Sequence, residues 1–292
     1  MKNKIYLIAI AIVVLGGIIF VAIKQATREP ASSGIPIQSH RTYSLRSNVQ
    51  LKNYIANTPS EYSFSIVDER GDILRNFATT HTKPMHVIVV RKDLAHFQHV
   101  HPEYNALTGN FVLKDLTFPS DGEYRIFADF AVDGAQKDPK GNPLAITLSE
   151  DVKVGTMYKP LPLGTEEKSK TFDGLLTTLN THGTPASGAE SMLTFSLSQN
   201  GKSVTDLQEY LGALGHVVIL REGTLDFIHA HPVETQKQDG TVSFVVYFPE
   251  AGRYKVFAQF QRGGKVITAE FVVSVIQNTA TEMRPGANHL TH

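Results

Sequence analysis

An internal repeat constrains the fold of this chain more than any other feature of its sequence. Met85 to Pro102 reads MHVIVVRKDLAHFQHVHP, and Gly215 to Pro232 reads GHVVILREGTLDFIHAHP. The segments FPSDGEYRIFADF (Phe118 to Phe130) and FPEAGRYKVFAQF (Phe248 to Phe260) recur at the same offset of 130 residues. The sequence therefore predicts two copies of one structural unit.

Each copy consists of short runs that are rich in β-branched and aromatic residues and are separated by Gly, Pro, Asn and Asp. Most of these runs alternate between apolar and polar residues, as strands buried on one face do. The pattern predicts an all-β fold of two tandem antiparallel β-sandwiches, with Phe127 and Phe257 among the core aromatics. One stretch, Thr205 to Gly215, predicts a helical turn, because Thr205 can cap it and Leu207 and Leu211 have helical spacing.

The N-terminus predicts a membrane anchor within residues 1–24. Residues 5–23 are 19 consecutive residues without a charge, long enough to cross about 30 Å of hydrocarbon as a helix. An uncleaved anchor is favoured over a signal peptide, because the small residues Ala22 and Ala26 are poorly placed for cleavage. A single N-terminal span usually leaves the body outside the cytoplasm, so we expect a single-pass cell-membrane protein with extracytoplasmic soluble domains.

The composition of the sequence indicates the domain boundaries in the rest of the chain, and it also excludes several classes of function. The sequence predicts a linker at 25–41, a first sandwich at 42–158, a linker at 159–170, a second sandwich at 171–278 and a polar tail at 279–292. The 28 basic and 28 acidic residues leave no positive surplus for nucleic acid. The absence of Cys excludes disulfides, thiolate metal sites and cysteine nucleophiles.

Histidines in the repeated hairpins predict metal sites. Histidines two residues apart on a strand share a face, and the hairpin register sets a third histidine opposite one of them. Three imidazoles on one patch of sheet can each place a nitrogen about 2.0 Å from a shared ion. The predicted metal ligands are His86, His99 and His101 in the first copy, and His216, His229 and His231 in the second.

Imidazole ligands alone narrow the choice of ion. The affinity order favours Cu(II), with Zn(II) as the second candidate. Because imidazole binds a metal only when neutral and its ordinary pKa is about 6.5, binding should fall steeply below about pH 6.

Two other functions remain open. One is a non-catalytic envelope interaction module in which the histidines only brace the hairpin. The other, less favoured, is a zinc-dependent hydrolase, since three histidines with one open position also describe catalytic zinc. No catalytic residue is assigned, because Asp226 is matched by His96 and Glu103 by Val233, so no general base recurs beside the motif.

The hairpin ending in F-x-H-x-H-P, followed by F-P-x-x-G-x-Y-x-x-F-A, resembles that of a group of bacterial membrane-anchored or secreted proteins. Those proteins carry tandem cupredoxin-like or immunoglobulin-like β-sandwich domains and are mostly of unassigned function. The resemblance implies sandwich domains that bind copper or another transition metal for storage, delivery or sensing, with no protein partner identified. A blue-copper site is excluded, since it needs a Cys thiolate. The residues that carry the resemblance are His86, His99, His101 and Pro102 with His216, His229, His231 and Pro232.

Overall fold

A computed structural model describes residues 42–49, 53–135, 137, 141, 143–233 and 238–278, although the side chains of His229 and His231 lie outside this description. All of these residues belong to one compact unit, Arg41–His292. The predicted anchor at 1–24, the linker at 25–41 and the tail at 279–292 fall outside the described residues. Within the described ranges, no helix is long and apolar enough to cross a membrane.

The first repeat is a sandwich of two antiparallel sheets. Its strands are β1 (Tyr43–Ser47), β2 (Ser60–Asp68), β3 (Phe77–Ala78), β4 (His86–Arg91), β5 (Gln98–Val100), β6 (Glu103–Asn105), β7 (Asn110–Leu116), β8 (Gly122–Val132) and β9 (Ala145–Val154). One sheet has the order β1-β2-β7-β6 and the other β3-β8-β4-β5, with β9 paired to β8. Fully buried aromatic side chains, among them Phe64, Phe111 and Phe130, fill the space between the sheets.

The second repeat has the same plan. Its strands are β10 (Ser169–Phe172), β11 (Leu175–Asn180), β12 (Glu190–Gln199), β13 (Lys202–Ser203), β14 (His216–Arg221), β15 (Phe227–Pro232), β16 (Thr241–Tyr247), β17 (Gly252–Arg262) and β18 (Lys265–Val275). Because β15 pairs with both β14 and β16, its two sheets join into one with the order β10-β11-β12-β16-β15-β14-β17-β18, with β13 on β12. The all-β prediction is confirmed, since the described residues form antiparallel strand pairs and no α-helix.

The two repeats pack against each other through sheets that are buried on both faces. On β4, Val87 and Val89 face the core of the first sandwich, whereas Ile88 and Val90 lie on the opposite face. That opposite face joins a separate apolar cluster with residues of β14 such as Leu220. A strand that is covered on both sides has a continuous apolar sequence, as residues 87–90 (VIVV) do.

Reciprocal aromatic contacts relate the two halves of this interface. Phe97 stacks on Phe257 with ring centroids 4.1 Å apart, and Phe227 packs on Phe127 at 5.4 Å. Exchanging the copies turns one pair into the other, so the repeats are related by an approximate two-fold axis. The prediction that Phe127 and Phe257 belong to the sandwich cores is therefore wrong: each lies three residues before a core phenylalanine and faces the other side of its strand. Leu163, from the predicted linker, is also buried in this interface.

The helical turn predicted over Thr205 to Gly215 is also wrong. Tyr210 and Ala213 pair through backbone hydrogen bonds in a tight turn, with Leu211 at φ 57° and Gly212 at φ 83°. Positive φ at both central residues defines a type I′ turn, for which glycine is well suited. The apolar spacing that suggested a helix instead buries leucines against the sheet.

Candidate metal centre

Strand register brings the first predicted triad together. His86 opens β4 and His99 is the middle residue of β5, where it pairs with Ile88. Extending the same register by two residues sets His101 opposite His86, which is one of the two predicted pairings. The three side chains therefore emerge from one corner of the sheet, on the face that meets the second repeat.

The ring nitrogens of this triad converge. His86 Nδ1 lies 3.1 Å from His99 Nε2 and 3.1 Å from His101 Nε2. One nitrogen from each ring lies within 4.8 Å of the others, and no other group of three His, Asp or Glu in the described part of the chain meets this spacing. The first copy thus has the geometry of a three-nitrogen ligand set.

Hydrogen bonds on the outer side of the rings fix two tautomers. His86 Nε2 donates to the carbonyl oxygen of Thr80 at 2.9 Å, and His99 Nδ1 donates to Gln259 Oε1 at 2.7 Å. A neutral imidazole carries a single N–H, so His86 Nδ1 and His99 Nε2 both present lone pairs. Two acceptor nitrogens therefore lie 3.1 Å apart, an arrangement that a cation bound to both nitrogens stabilises.

A second type I′ turn positions the acceptor for His86. Thr80 and Lys83 pair through two backbone hydrogen bonds, with His81 at φ 48° and Thr82 at φ 67° between them. This turn occupies the place in the first repeat that the Tyr210 to Ala213 turn occupies in the second. It aims the Thr80 carbonyl at the ring of His86, which is only 3% exposed.

Burial keeps the histidines neutral. It lowers the pKa of His99 to about 3, against the opposing hydrogen bond to Gln259 and with further lowering by the neighbouring His101, His86 and His81. Burial likewise lowers the pKa of His101 to about 4 and holds that of His216 well below its ordinary value. At neutral pH these rings are unprotonated, as metal ligation requires.

The second repeat contributes to the same cluster. The His216 ring lies 4.9 Å from the His99 ring and 5.9 Å from the nearly parallel His86 ring, measured between centroids. The exposed His81 ring lies 5.1 Å from His216. We call this group the histidine cluster, and its members are His81, His86, His99, His101 and His216.

Of the second predicted triad, only His216 is described with its side chain, and His229 and His231 are described by their backbone. His229 pairs with Val218 on β14, and His231 pairs with Val245 on β16. The side chains of His229 and His231 lie outside the described residues, so a second three-histidine site stays a prediction. The sequence did not indicate that His216 would contact histidines of the first copy.

Sequence reasoning also missed Thr80 and Gln259. The sequence does contain an indication for Gln259. Gln259 and Asp129 occupy equivalent positions in FAQF and FADF, so both copies have a polar residue within an apolar segment. A polar residue that shares its strand face with an interface phenylalanine, as Gln259 does with Phe257, indicates a specific partner rather than solvent.

The fold and the site together define a two-repeat β-sandwich protein with a histidine cluster between its repeats. The chain belongs to the family described as domain of unknown function DUF8832, whose model matches residues 41–138 and 170–277. The two matched regions confirm the internal repeat. No curated protein matches the chain.

Several solved structures have similar arrangements of strands. The Lin-41 filamin domain is 10% identical, covering 34% of this chain and 90% of its own, with a TM-score of 0.26. InvD of Yersinia pseudotuberculosis is 14% identical over 81% of this chain and 58% of its own, with a TM-score of 0.26. Invasin, a bacterial integrin-binding protein, is 18% identical over 82% of this chain and 39% of its own, with a TM-score of 0.23. At these TM-scores the likeness supports no inference about function.

Proposed function

We propose that the chain binds a transition-metal ion through His86 Nδ1, His99 Nε2 and His101 Nε2. The observation that carries this proposal is the convergence of three ring nitrogens, with His86 Nδ1 lying 3.1 Å from both His99 Nε2 and His101 Nε2. Protonation could supply a cation there, but the low pKa of His99 opposes it at neutral pH. A metal ion bound by these nitrogens avoids that cost.

The ligand geometry suits a small first-row ion. Nitrogens bound at 2.0–2.1 Å to a tetrahedral ion lie about 3.3 Å apart, so the two 3.1 Å separations from His86 Nδ1 need only a slight adjustment, and the third separation lies within 4.8 Å. With imidazoles alone, Cu(II) is favoured by the affinity order and Zn(II) is the second candidate. Three histidines also suit catalytic zinc, but no general base recurs beside the motif in both copies, which favours storage, delivery or sensing of metal over hydrolysis.

The proposed setting is the outer side of a cell membrane. The uncharged segment at residues 5–23 supports a single-pass anchor, and the long body after it supports an extracytoplasmic location. A second copy of the site, formed by His216, His229 and His231, is part of the proposal on the strength of the sequence repeat.

An envelope interaction module with structural histidines is the competing function. The bonds from His86 to Thr80 and from His99 to Gln259 favour it, because they would brace the hairpin even without an ion. The two functions differ in one measurable respect, since bracing requires no metal.

Metal titration of the full-length chain tests the proposal. The protein is stripped with a chelator and titrated with Cu(II) and Zn(II) at pH 7.5, alongside the double variant His99→Gln/His101→Gln. His182→Gln is the matched control, because His182 is an exposed histidine that bonds Thr194 away from the cluster.

We expect saturable binding by the parent and the control, and loss of one bound ion in the double variant. X-ray absorption of the bound ion should show nitrogen or oxygen ligands only. Absence of saturable binding, or unchanged stoichiometry and affinity in the double variant, would refute the proposed site and favour the bracing function.

A further inference from the structure

We infer that the metal site of the first repeat is assembled by both repeats, with Gln259 of the second repeat as the positioning residue for His99. The inference rests on the proposed function and extends it to the interface between the copies. It makes metal binding a property of the paired repeats rather than of one sandwich.

Gln259 is built into the interface for this contact. Its side chain is 5% exposed, and its Oε1 accepts the His99 Nδ1 proton at 2.7 Å. Its Nε2 donates to Thr268 Oγ1 on the adjacent strand at 3.3 Å. The amide is oriented with its oxygen towards His99 Nδ1 and its nitrogen towards Thr268 Oγ1.

The contact decides which nitrogen of His99 can bind an ion. An acceptor on Nδ1 keeps the proton there and leaves the Nε2 lone pair directed at His86 and His101. His86 has an acceptor within its own repeat, the Thr80 carbonyl, whereas His99 depends on the other repeat. Acceptors of this kind typically change metal affinity by about 10-fold to 100-fold.

Apolar packing holds the acceptor in place. Phe97 immediately precedes β5 and lies two residues before His99. On β17, Phe257 lies two residues before Gln259. The Phe97–Phe257 stack at 4.1 Å and the His99–Gln259 bond are therefore successive contacts between the same two segments. His216, which pairs with Gln259 in the β14–β17 register, lies against His99 beside this contact.

In the first repeat, the position equivalent to Gln259 has the same place in the sheet but carries a carboxylate, Asp129, instead of an amide. Asp129 pairs with His86 in the β4–β8 register and accepts a hydrogen bond from Thr147 Oγ1 at 2.7 Å, as Gln259 pairs with His216 and bonds Thr268. Both repeats thus place a hydrogen-bonding side chain at this point of the interface. The acceptor of the His99 proton is the neutral amide of Gln259, so no charge is buried beside His99.

The test uses the full-length chain with Gln259→Leu, Gln259→Glu and Gln261→Leu. Leucine has a similar size and cannot accept a hydrogen bond, whereas glutamate can. Gln261→Leu is the matched control, because Gln261 lies two residues further along β17 and, in the described part of the chain, its side chain bonds no histidine. Affinity for Zn(II) and Cu(II) is measured by competition with a chelator of known strength.

We expect Gln259→Leu to weaken one site about 10-fold to 100-fold, Gln259→Glu to stay within a few-fold of the parent, and Gln261→Leu to match it. Nitrogen-15 NMR of the zinc-loaded parent should show His99 bound through Nε2 with a proton on Nδ1. That proton signal should persist in the glutamate variant and be lost in the leucine variant.

The outcomes separate the two proposals. If the parent binds no metal, the proposed function fails and the positioning role fails with it. If the parent binds metal through the triad but Gln259→Leu binds it equally well, only the positioning role is overturned. If Gln259→Leu does not fold, the His99 tautomer in the zinc-loaded parent decides: ligation through Nδ1 would overturn the inference, and ligation through Nε2 supports it.

Discussion

Acidification should destabilise the metal-free protein in a pH range set by the buried histidines. The pKa of His99 is lowered to about 3 in the folded chain, against an ordinary value of about 6.5 when the chain is unfolded. As the pH falls below about 6.5, the unfolded chain takes up a proton that the folded chain does not. Stability should therefore fall with decreasing pH from about 6.5 until the folded value is reached near pH 3.

The expected size of the effect follows from the same values. At pH 5, protonation stabilises an unfolded histidine by about 2 kcal/mol relative to a folded one whose pKa is near 3. His101, with its pKa lowered to about 4, gives a similar loss. Because the two rings are close neighbours, about 4 kcal/mol is an upper bound for the pair, a large part of a typical net stability of about 5–15 kcal/mol. The lowered pKa of Asp93 affects stability only below about pH 4, outside this range.

Urea denaturation in the presence of a chelator measures the effect. The full-length chain, His99→Gln and the control His182→Gln are compared at pH 7.5 and pH 5. We expect the His99→Gln variant to lose about 2 kcal/mol less than the parent on acidification, and the control to behave as the parent does. An equal loss in the parent and His99→Gln would show that His99 is protonated in the fold without penalty, and the burial argument would be refuted.

Further predictions concern binding, packing and backbone strain. Because burial lowers the pKa of His99 to about 3 and that of His101 to about 4, the fall in metal binding expected below about pH 6 from ordinary histidines should shift to lower pH, so that the affinity at pH 6 stays within a few-fold of that at pH 7.5; titration at both pH values checks this. Asp93→Asn should cost about 3–5 kcal/mol in urea denaturation, because it removes the partner of Arg91 in an ion pair whose side chains are both 5% exposed. Phe257→Ala should cost about 3–5 kcal/mol and weaken metal binding together with the interface. Thr82→Gly should raise the thermal midpoint, with a gain of about 1 kcal/mol, since a β-branched residue is held at φ 67°.

The strands and the histidine hairpin could be predicted from the sequence, because both depend on local sequence patterns. Alternation and turn residues identified the sheets, and period-2 geometry brought His86, His99 and His101 to one corner. The contact between the repeats could not be predicted in this way, because it pairs residues far apart in the chain. Gln259 was missed for that reason, since its partner lies 160 residues away.

The wrong helical turn has a different cause. Two leucines four residues apart, Leu207 and Leu211, fit one turn of a helix and also fit an irregular segment lying on a sheet. Over so short a stretch the helical period does not distinguish the two. The Leu211-Gly212 pair at positive φ, together with a backbone bond from Gln208 to Gln261, decides in favour of the turn.

The approximate two-fold axis between the repeats has a consequence for how this protein can change. In an assembly of two identical chains, a substitution near such an axis occurs on both sides at once. Here both halves belong to one polypeptide, so each side can vary alone while the partner surface is kept. The two halves differ at two such places. His81 in one turn is equivalent to Leu211 in the other, and Asp129 is equivalent to Gln259 beside the cluster. Covalent duplication thus lets one half gain a histidine or a charge without imposing it on the other.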